Sequence, residues 1–166
     1  FHLRNAFPPE VEKEAKKLGT SVSKKAMKER LDFREEVCLT IDPQTAKDFD
    51  DALSIAKDHS GNYHLGVHIA DVAHYIPPGS HLDVEAQKRC NSTYFPGKCV
   101  PMIPYALSNE LCSLKPEVPR LTMSIFMEFD PKGEMLRHRV KRTVIESKKR
   151  FTYEEARDIL DGKKKH

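Results

Sequence analysis

The chain has 166 residues, 39% of them hydrophobic and 32% charged, with 11 prolines, 7 glycines and no tryptophan. That balance suits one compact domain and excludes collagen, a coiled coil and wholesale disorder. The net charge of +3 is unevenly spread: residues 1–36 carry +2, residues 37–136 set 8 Lys/Arg against 13 Asp/Glu, and residues 137–166 set 11 against 5. An acidic middle beside a basic flank suits a protein that gathers cations at one place and polyanions at another, although an uneven solvated surface has the same signature. No apolar run approaches the roughly 18 residues that span a bilayer, and Phe1-His2-Leu3-Arg4 lacks the apolar stretch of a signal peptide, so a cytoplasmic protein without membrane contact is expected. Cys38, Cys90, Cys99 and Cys112 show neither a CxxC pair nor zinc spacing and read as reduced thiols. The start without Met and the end in Lys163-Lys164-Lys165-His166 point to a piece of a longer polypeptide.

Residues 8–18 open with proline, place Glu10 and Glu14 early and Lys16 and Lys17 late, and stop at Gly19, which predicts a short helix. Ser23 can cap a second helix to about Asp32. At Val37 the character changes: 37–41 reads as a buried strand, 52–56 as a second, 58–62 as a turn and 63–70 as an alternating third. After Pro77-Pro78-Gly79, Ser80 and Asp83 resemble a capping box opening a helix to about Cys90. Residues 95–104, rich in Pro and Gly, read as an ordered loop, and 107–114 as a short helix. Residues 121–129 and 135–146, joined by Asp130-Pro-Lys-Gly133, form a long β-hairpin, and Thr152 with Glu155 caps a last helix to about Leu160. The expected fold is α+β, a mixed and largely antiparallel sheet with packed helices. The expected organisation is a helical connector at 1–36, the main domain at 37–161 and a disordered basic tail at 162–166.

Asp42, Asp48, Asp50 and Asp51 lie within ten residues between two apolar strands, offset locally by Lys47 alone. Two carboxylates about 4 Å apart repel by roughly 4 kcal/mol at an effective dielectric near 20, so such a cluster must protonate, splay into water or bind cations. Oxygen ligands without Cys or His favour Mg²⁺ or Mn²⁺, with waters and substrate phosphate oxygens completing the shell. A calcium loop is disfavoured because the loop started by Asp48 has His59 at its twelfth position. His64, His68 and His74 share strand parity and make a zinc site conceivable, but no tetrahedral set is visible by spacing. Tyr94 and Phe95 before Pro96-Gly97 offer a face for a base or for core packing. Arg137, Arg139, Lys141 and Arg142 give the hairpin a basic edge that suits a phosphate track or an ordinary solvated face.

The run Asp42-Pro-Gln-Thr-Ala-Lys-Asp-Phe-Asp-Asp-Ala-Leu53 is followed by Val67-His-Ile-Ala-Asp-Val-Ala-His74, by Tyr94-Phe-Pro-Gly97 with Pro101-Met-Ile-Pro104, and by Leu107-Ser-Asn-Glu-Leu-Cys-Ser-Leu114. In that order, from about Arg30 to Tyr153, they resemble the ribonuclease II / ribonuclease R (RNB) family. The resemblance implies a processive hydrolytic exoribonuclease that degrades RNA from a single-stranded 3′ end to nucleoside 5′-monophosphates with Mg²⁺, Mn²⁺ being the substitute. It implies Asp42 and Asp51 as metal ligands, Asp50 as the carboxylate most critical to the chemical step, Asp48 as a further metal or water partner, and Tyr94 stacked on the 3′ nucleotide. Two cations so held would activate water and neutralise the leaving oxygen. Val118-Pro119-Arg120 departs from the family, which has an acidic residue before the arginine. The family also implies flanking RNA-binding β-barrel domains, a continuing catalytic domain that supplies an arginine, another acid and an aromatic partner, and a monomer. This piece alone is therefore expected to be inactive. The alternatives are a catalytically silent RNA- or protein-binding module of the same fold and a calcium-stabilised structural domain.

Overall fold

The computed structural model describes residues 5–163. Among these residues nine strands and four α-helices, numbered in chain order, are found, and the seven-stranded sheet that dominates them runs β1-β8-β7-β4-β3-β2-β9. Its centre is built by hairpins. β3 (Asp51–Lys57) pairs antiparallel with β4 (Tyr63–Ala70), and β4 pairs with β7 (Pro119–Phe129). β7 pairs in turn with β8 (Met135–Glu146). β2 (Leu39–Asp42) joins β3 antiparallel, and each edge is closed by a parallel strand, β1 (Leu31–Phe33) on β8 and β9 (Lys149–Thr152) on β2. The sheet is thus mixed and largely antiparallel, as the patterning implies.

The helices follow their caps. α1 (Pro9–Lys17) starts on proline, α3 (His81–Arg89) on Ser80, whose hydroxyl accepts from the Asp83 amide, and α4 (Tyr153–Leu160) on a complete Thr152/Glu155 capping box. Glu14 of α1 accepts the Leu82 amide at 2.9 Å, so one helix caps the next. Three expectations are corrected. α2 covers only Lys24–Lys28, because the chain then enters β1 instead of staying helical to Asp32. The Pro/Gly-rich stretch holds a small hairpin, β5 (Thr93–Phe95) with β6 (Lys98–Val100), where Gly97 supplies the positive φ that the tight turn needs. The stretch 107–114 is a π-helical segment over Ala106–Leu111, with the Cys112 amide reaching back to the Leu107 carbonyl, and it ends before Ser113. Of the basic tail, residues 164–166 lie outside the described residues. No helix among the described residues is long and apolar enough to cross a membrane.

The sheet's two faces divide unexpectedly. Cys38, Ala52, His68, Thr122, Ser124 and Thr143 point to the buried face, while Ile55, Ile69 and Val140 point the other way and stay exposed. The buried face is small and polar. There the His68 ring is pinned by Ser124 Oγ on Nδ1 at 2.7 Å and Ser54 Oγ on Nε2 at 3.0 Å, between the rings of Phe33 and Phe126. Ser124, Thr143 and Thr122 extend this into a chain of hydroxyls. Gly66 is required beneath it, since a Cβ there would lie 2.4 Å from Ser54 Oγ and 2.8 Å from His68 Nε2. At the end of the sheet the buried pair Arg30–Asp71, at 2.6 Å, ties the lead-in to the end of β4.

Burial pushes the His68 imidazole down from 6.5 to about 4. The unfolded chain therefore binds a proton between those values that the folded chain refuses, and stability is full above about pH 6.5 and falls as pH drops toward 4, by up to roughly 3 kcal/mol. Urea unfolding of wild type and His68→Asn from pH 8 to 4.5 should show wild type losing ground on acidification. Curves that stay parallel would refute the assignment.

Candidate functional site

The loop between β2 and β3 carries all four clustered aspartates, and the fold holds it at both ends and in the middle. Asp42 is the last residue of β2 and Asp51 the first of β3. Between them the Asp50 carbonyl accepts the Ala70 amide at 2.9 Å and the Phe49 carbonyl accepts the Leu114 amide at 2.8 Å. The buried Ser113 hydroxyl takes the Phe49 amide at 3.0 Å and donates to the Lys47 carbonyl at 3.1 Å. The backbone from Lys47 to Asp50 cannot move away from the sheet without breaking these bonds.

Asp42, Asp48, Asp50 and Asp51 border one open hollow of about 810 Å³, shared with Tyr94 and Lys98 of the small hairpin and with Tyr105 and Asn109. Tyr94 is 65% exposed, yet its hydroxyl donates to Asp48 Oδ2 at 2.8 Å, which fixes the ring's edge and leaves its faces open. That bond, with burial behind it, pushes the phenol up to about 12. Asp42 is only 7% exposed and its Oδ2 has no hydrogen-bond partner. Burial raises its carboxyl and the charges of Asp51 and Asp48 add to the rise, while the Thr40 hydroxyl and the Arg150 guanidinium oppose it. Thr40 Oγ1 lies near without closing a hydrogen bond of acceptable geometry. Asp50 reaches the open rim of the hollow, but desolvation against the protein raises its carboxyl first, followed by Asp48, Asp51 and Asp42.

No three of the four carboxyls come within 4.8 Å of one another, so they ring the hollow without collapsing into it. Their mutual repulsion and the unpartnered Oδ2 of Asp42 fit a hard divalent cation with oxygen ligands. These residues could hold such a cation, Asp42 being the most buried of the four.

The other candidates are dispersed. His68 is sealed among hydroxyls, His74 sits on a short 3₁₀ turn against Tyr75, and His64 pairs with Asp58, so the three histidines form no common site. Arg137 and Arg139 share a face, but Arg137 bonds Glu128 and Arg139 covers the Phe126 ring. Arg120 is buried, its guanidinium donating to the carbonyls of Ser113, Pro119 and Glu110, and so fastens the segment that holds the acidic loop.

The family model described as RNB domain matches residues 30–166. The chain belongs to the RNB family. It is 52% identical over all 166 residues to ribonuclease R of Chlamydia pneumoniae, covering 25% of that protein. Two solved structures of Mycoplasma genitalium RNase R, one with ribose-methylated single-stranded RNA and one with double-stranded RNA, are each 35% identical to it. They superpose on 99% of the chain with TM-scores of 0.92 and 0.93, the chain covering 26% and 29% of them. The chain thus spans about a quarter of the length of these relatives.

Within this RNB fold two residues that matter to the site escaped sequence reasoning. Ser113 lies in the run Leu107–Leu114, but its contact with the acidic loop spans 64 positions and leaves no local signal. Arg150 is delivered beside Asp42 by the parallel pairing of β9 with β2, its guanidinium donating to the Pro43 carbonyl. Removing the Ser113 hydroxyl orphans the Phe49 amide. Ser113→Ala should cost about 1–3 kcal/mol of stability and speed hydrogen exchange at Phe49 by about tenfold or more. Unchanged exchange would mean the loop holds itself.

Proposed function

We propose that this chain supplies the metal-binding carboxylates of a 3′-to-5′ exoribonuclease that hydrolyses RNA to nucleoside 5′-monophosphates within a longer polypeptide. The observation that carries the reading is the joining of two otherwise separate features around one hollow, the Asp42–Asp51 carboxylates and the exposed Tyr94 ring bonded to Asp48. Bound Mg²⁺ or Mn²⁺ would supply charge neutralisation at the phosphate and a water of lowered pKa. The chain's own residues do the positioning. Asp42 ends β2 and Asp51 opens β3, so two paired strands carry them to the hollow, and Asp50, anchored by its carbonyl to Ala70, stands at the exposed rim. Tyr94 offers a base a stacking face worth about 1–3 kcal/mol, with its hydroxyl tethered so that the face is presented in one orientation.

Family membership and the RNA-bound structures of a 35%-identical relative support RNA as the substrate class. The whole protein's activity belongs to more than this chain. Ile55, at 68% exposure, and its neighbours leave an apolar sheet face uncovered, which supports action together with further domains, among them RNA-binding barrels. A monomeric, cytoplasmic enzyme is part of the same reading.

In the full-length polypeptide, Asp50→Asn should abolish shortening of end-labelled single-stranded RNA while sparing RNA binding, and Tyr94→Ala should weaken 3′-end binding by about tenfold. The 166-residue chain alone should be inactive. Undiminished turnover by Asp50→Asn would remove the mechanism, and loss of RNA binding in place of turnover would favour a silent binding module.

A further inference from the structure

We propose that Asp58, His64 and Glu128 form a second metal site, for Zn²⁺, at the end of the sheet remote from the aspartate hollow. β3 runs from Asp51 to Lys57, and at about 3.3 Å per residue this puts Asp58 roughly 20 Å from the acidic loop. Among the described residues these three are the set of His, Cys, Asp or Glu whose donor atoms all lie within 4.8 Å of one another.

The set is assembled by three backbone elements. His64 on β4 stands directly across from Glu128 on β7. Asp58 closes the β3–β4 turn: its Oδ1 accepts the amides of Ser60 at 2.8 Å and Asn62 at 3.0 Å, which turns Oδ2 toward His64 Nε2 at 3.1 Å. The Asn62 side-chain amide donates to Glu128 Oε1 at 3.2 Å and Arg137 to Oε2 at 2.5 Å. Asp58 and Glu128 are thus each oriented by a second contact, as metal ligands commonly are, while β4 fixes His64 by its register, and each Glu128 oxygen retains a lone pair.

Bonds of 2.0–2.2 Å in a tetrahedral Zn²⁺ shell place adjacent donors roughly 3.3–3.6 Å apart, close to the Asp58–His64 separation, so the ion can replace the proton that now joins them. A small rotation of Glu128 supplies the third ligand and water the fourth. One imidazole with two carboxylates suits zinc, whereas the all-oxygen hollow suits magnesium. His64 and Asp58 are 44% and 33% exposed, so an ion can enter from solvent, and once bound it would fasten the β3–β4 turn to β7.

The test is a Zn²⁺ titration of the full-length polypeptide by calorimetry under saturating Mg²⁺, with Co²⁺ absorption as a second readout. Wild type should bind one equivalent that His64→Asn and Glu128→Gln each weaken by about tenfold or more, with circular dichroism in chelator showing both variants folded. Asp50→Asn should leave the binding unchanged. Zn²⁺ uptake that is absent, that follows Asp50→Asn, or that ignores both His64→Asn and Glu128→Gln would overturn the proposal.

Discussion

Like charges held together by a backbone that cannot relax are the constraint on which the site depends. Four aspartates in ten residues would splay into water if their loop were free. β2 and β3 fix the ends, Ala70 and Leu114 hold two carbonyls, and Ser113 bridges Lys47 and Phe49. The repulsion therefore stays in the folded state, where it appears as raised Asp42 and Asp50 carboxyls and an unpartnered oxygen on Asp42. Tyr94 relieves part of the charge by donating to Asp48, and the same bond brings an aromatic face to the site.

The sheet that supports this loop is built inside out relative to a simple half-buried β pattern. β4 alternates Leu65, Val67 and Ile69 with His64, Gly66 and His68, and the polar-looking set, His68 above all, is the one that packs inward. Burying these groups is affordable only because the hydroxyls and the ring satisfy one another, and because small residues let Phe33 and Phe126 close over them. The apolar set then faces outward without a cover, in a chain that spans about a quarter of its relatives' length.

Arginines lock the periphery with little help from exposed ion pairs. Arg30 pairs with buried Asp71 and reaches the Thr122 carbonyl, joining the lead-in to two central strands. Arg120 uses three carbonyls and no carboxylate, so its charge rests on backbone dipoles around the π-helical segment. Removing Arg30 would strand the buried Asp71 charge at a cost of about 3–5 kcal/mol, and removing Arg120 would leave the Ser113, Pro119 and Glu110 carbonyls without their donor, which ties the segment that holds the acidic loop to a distant side chain.

Read alone, the sequence determined what local chemistry can encode. Proline and Ser80 marked two helix starts, Thr152 with Glu155 a third, and Asp58 and Asp130 marked turns, because caps and turns satisfy backbone groups within a few residues. The crowding of Asp42, Asp48, Asp50 and Asp51 into ten residues was likewise legible, since it is local in the chain. Long-range pairing lay beyond that reach: β1 and β9 are strands because β8 and β2 offer free parallel edges, and local patterning alone extends the second helix through Leu31 and Asp32 for want of those partners. Only the tertiary structure brought Tyr94 to Asp48, Ser113 to the loop, Arg150 to Asp42 and Glu128 to His64, since hydrogen bonds and charges act through space and the chain order records none of those distances.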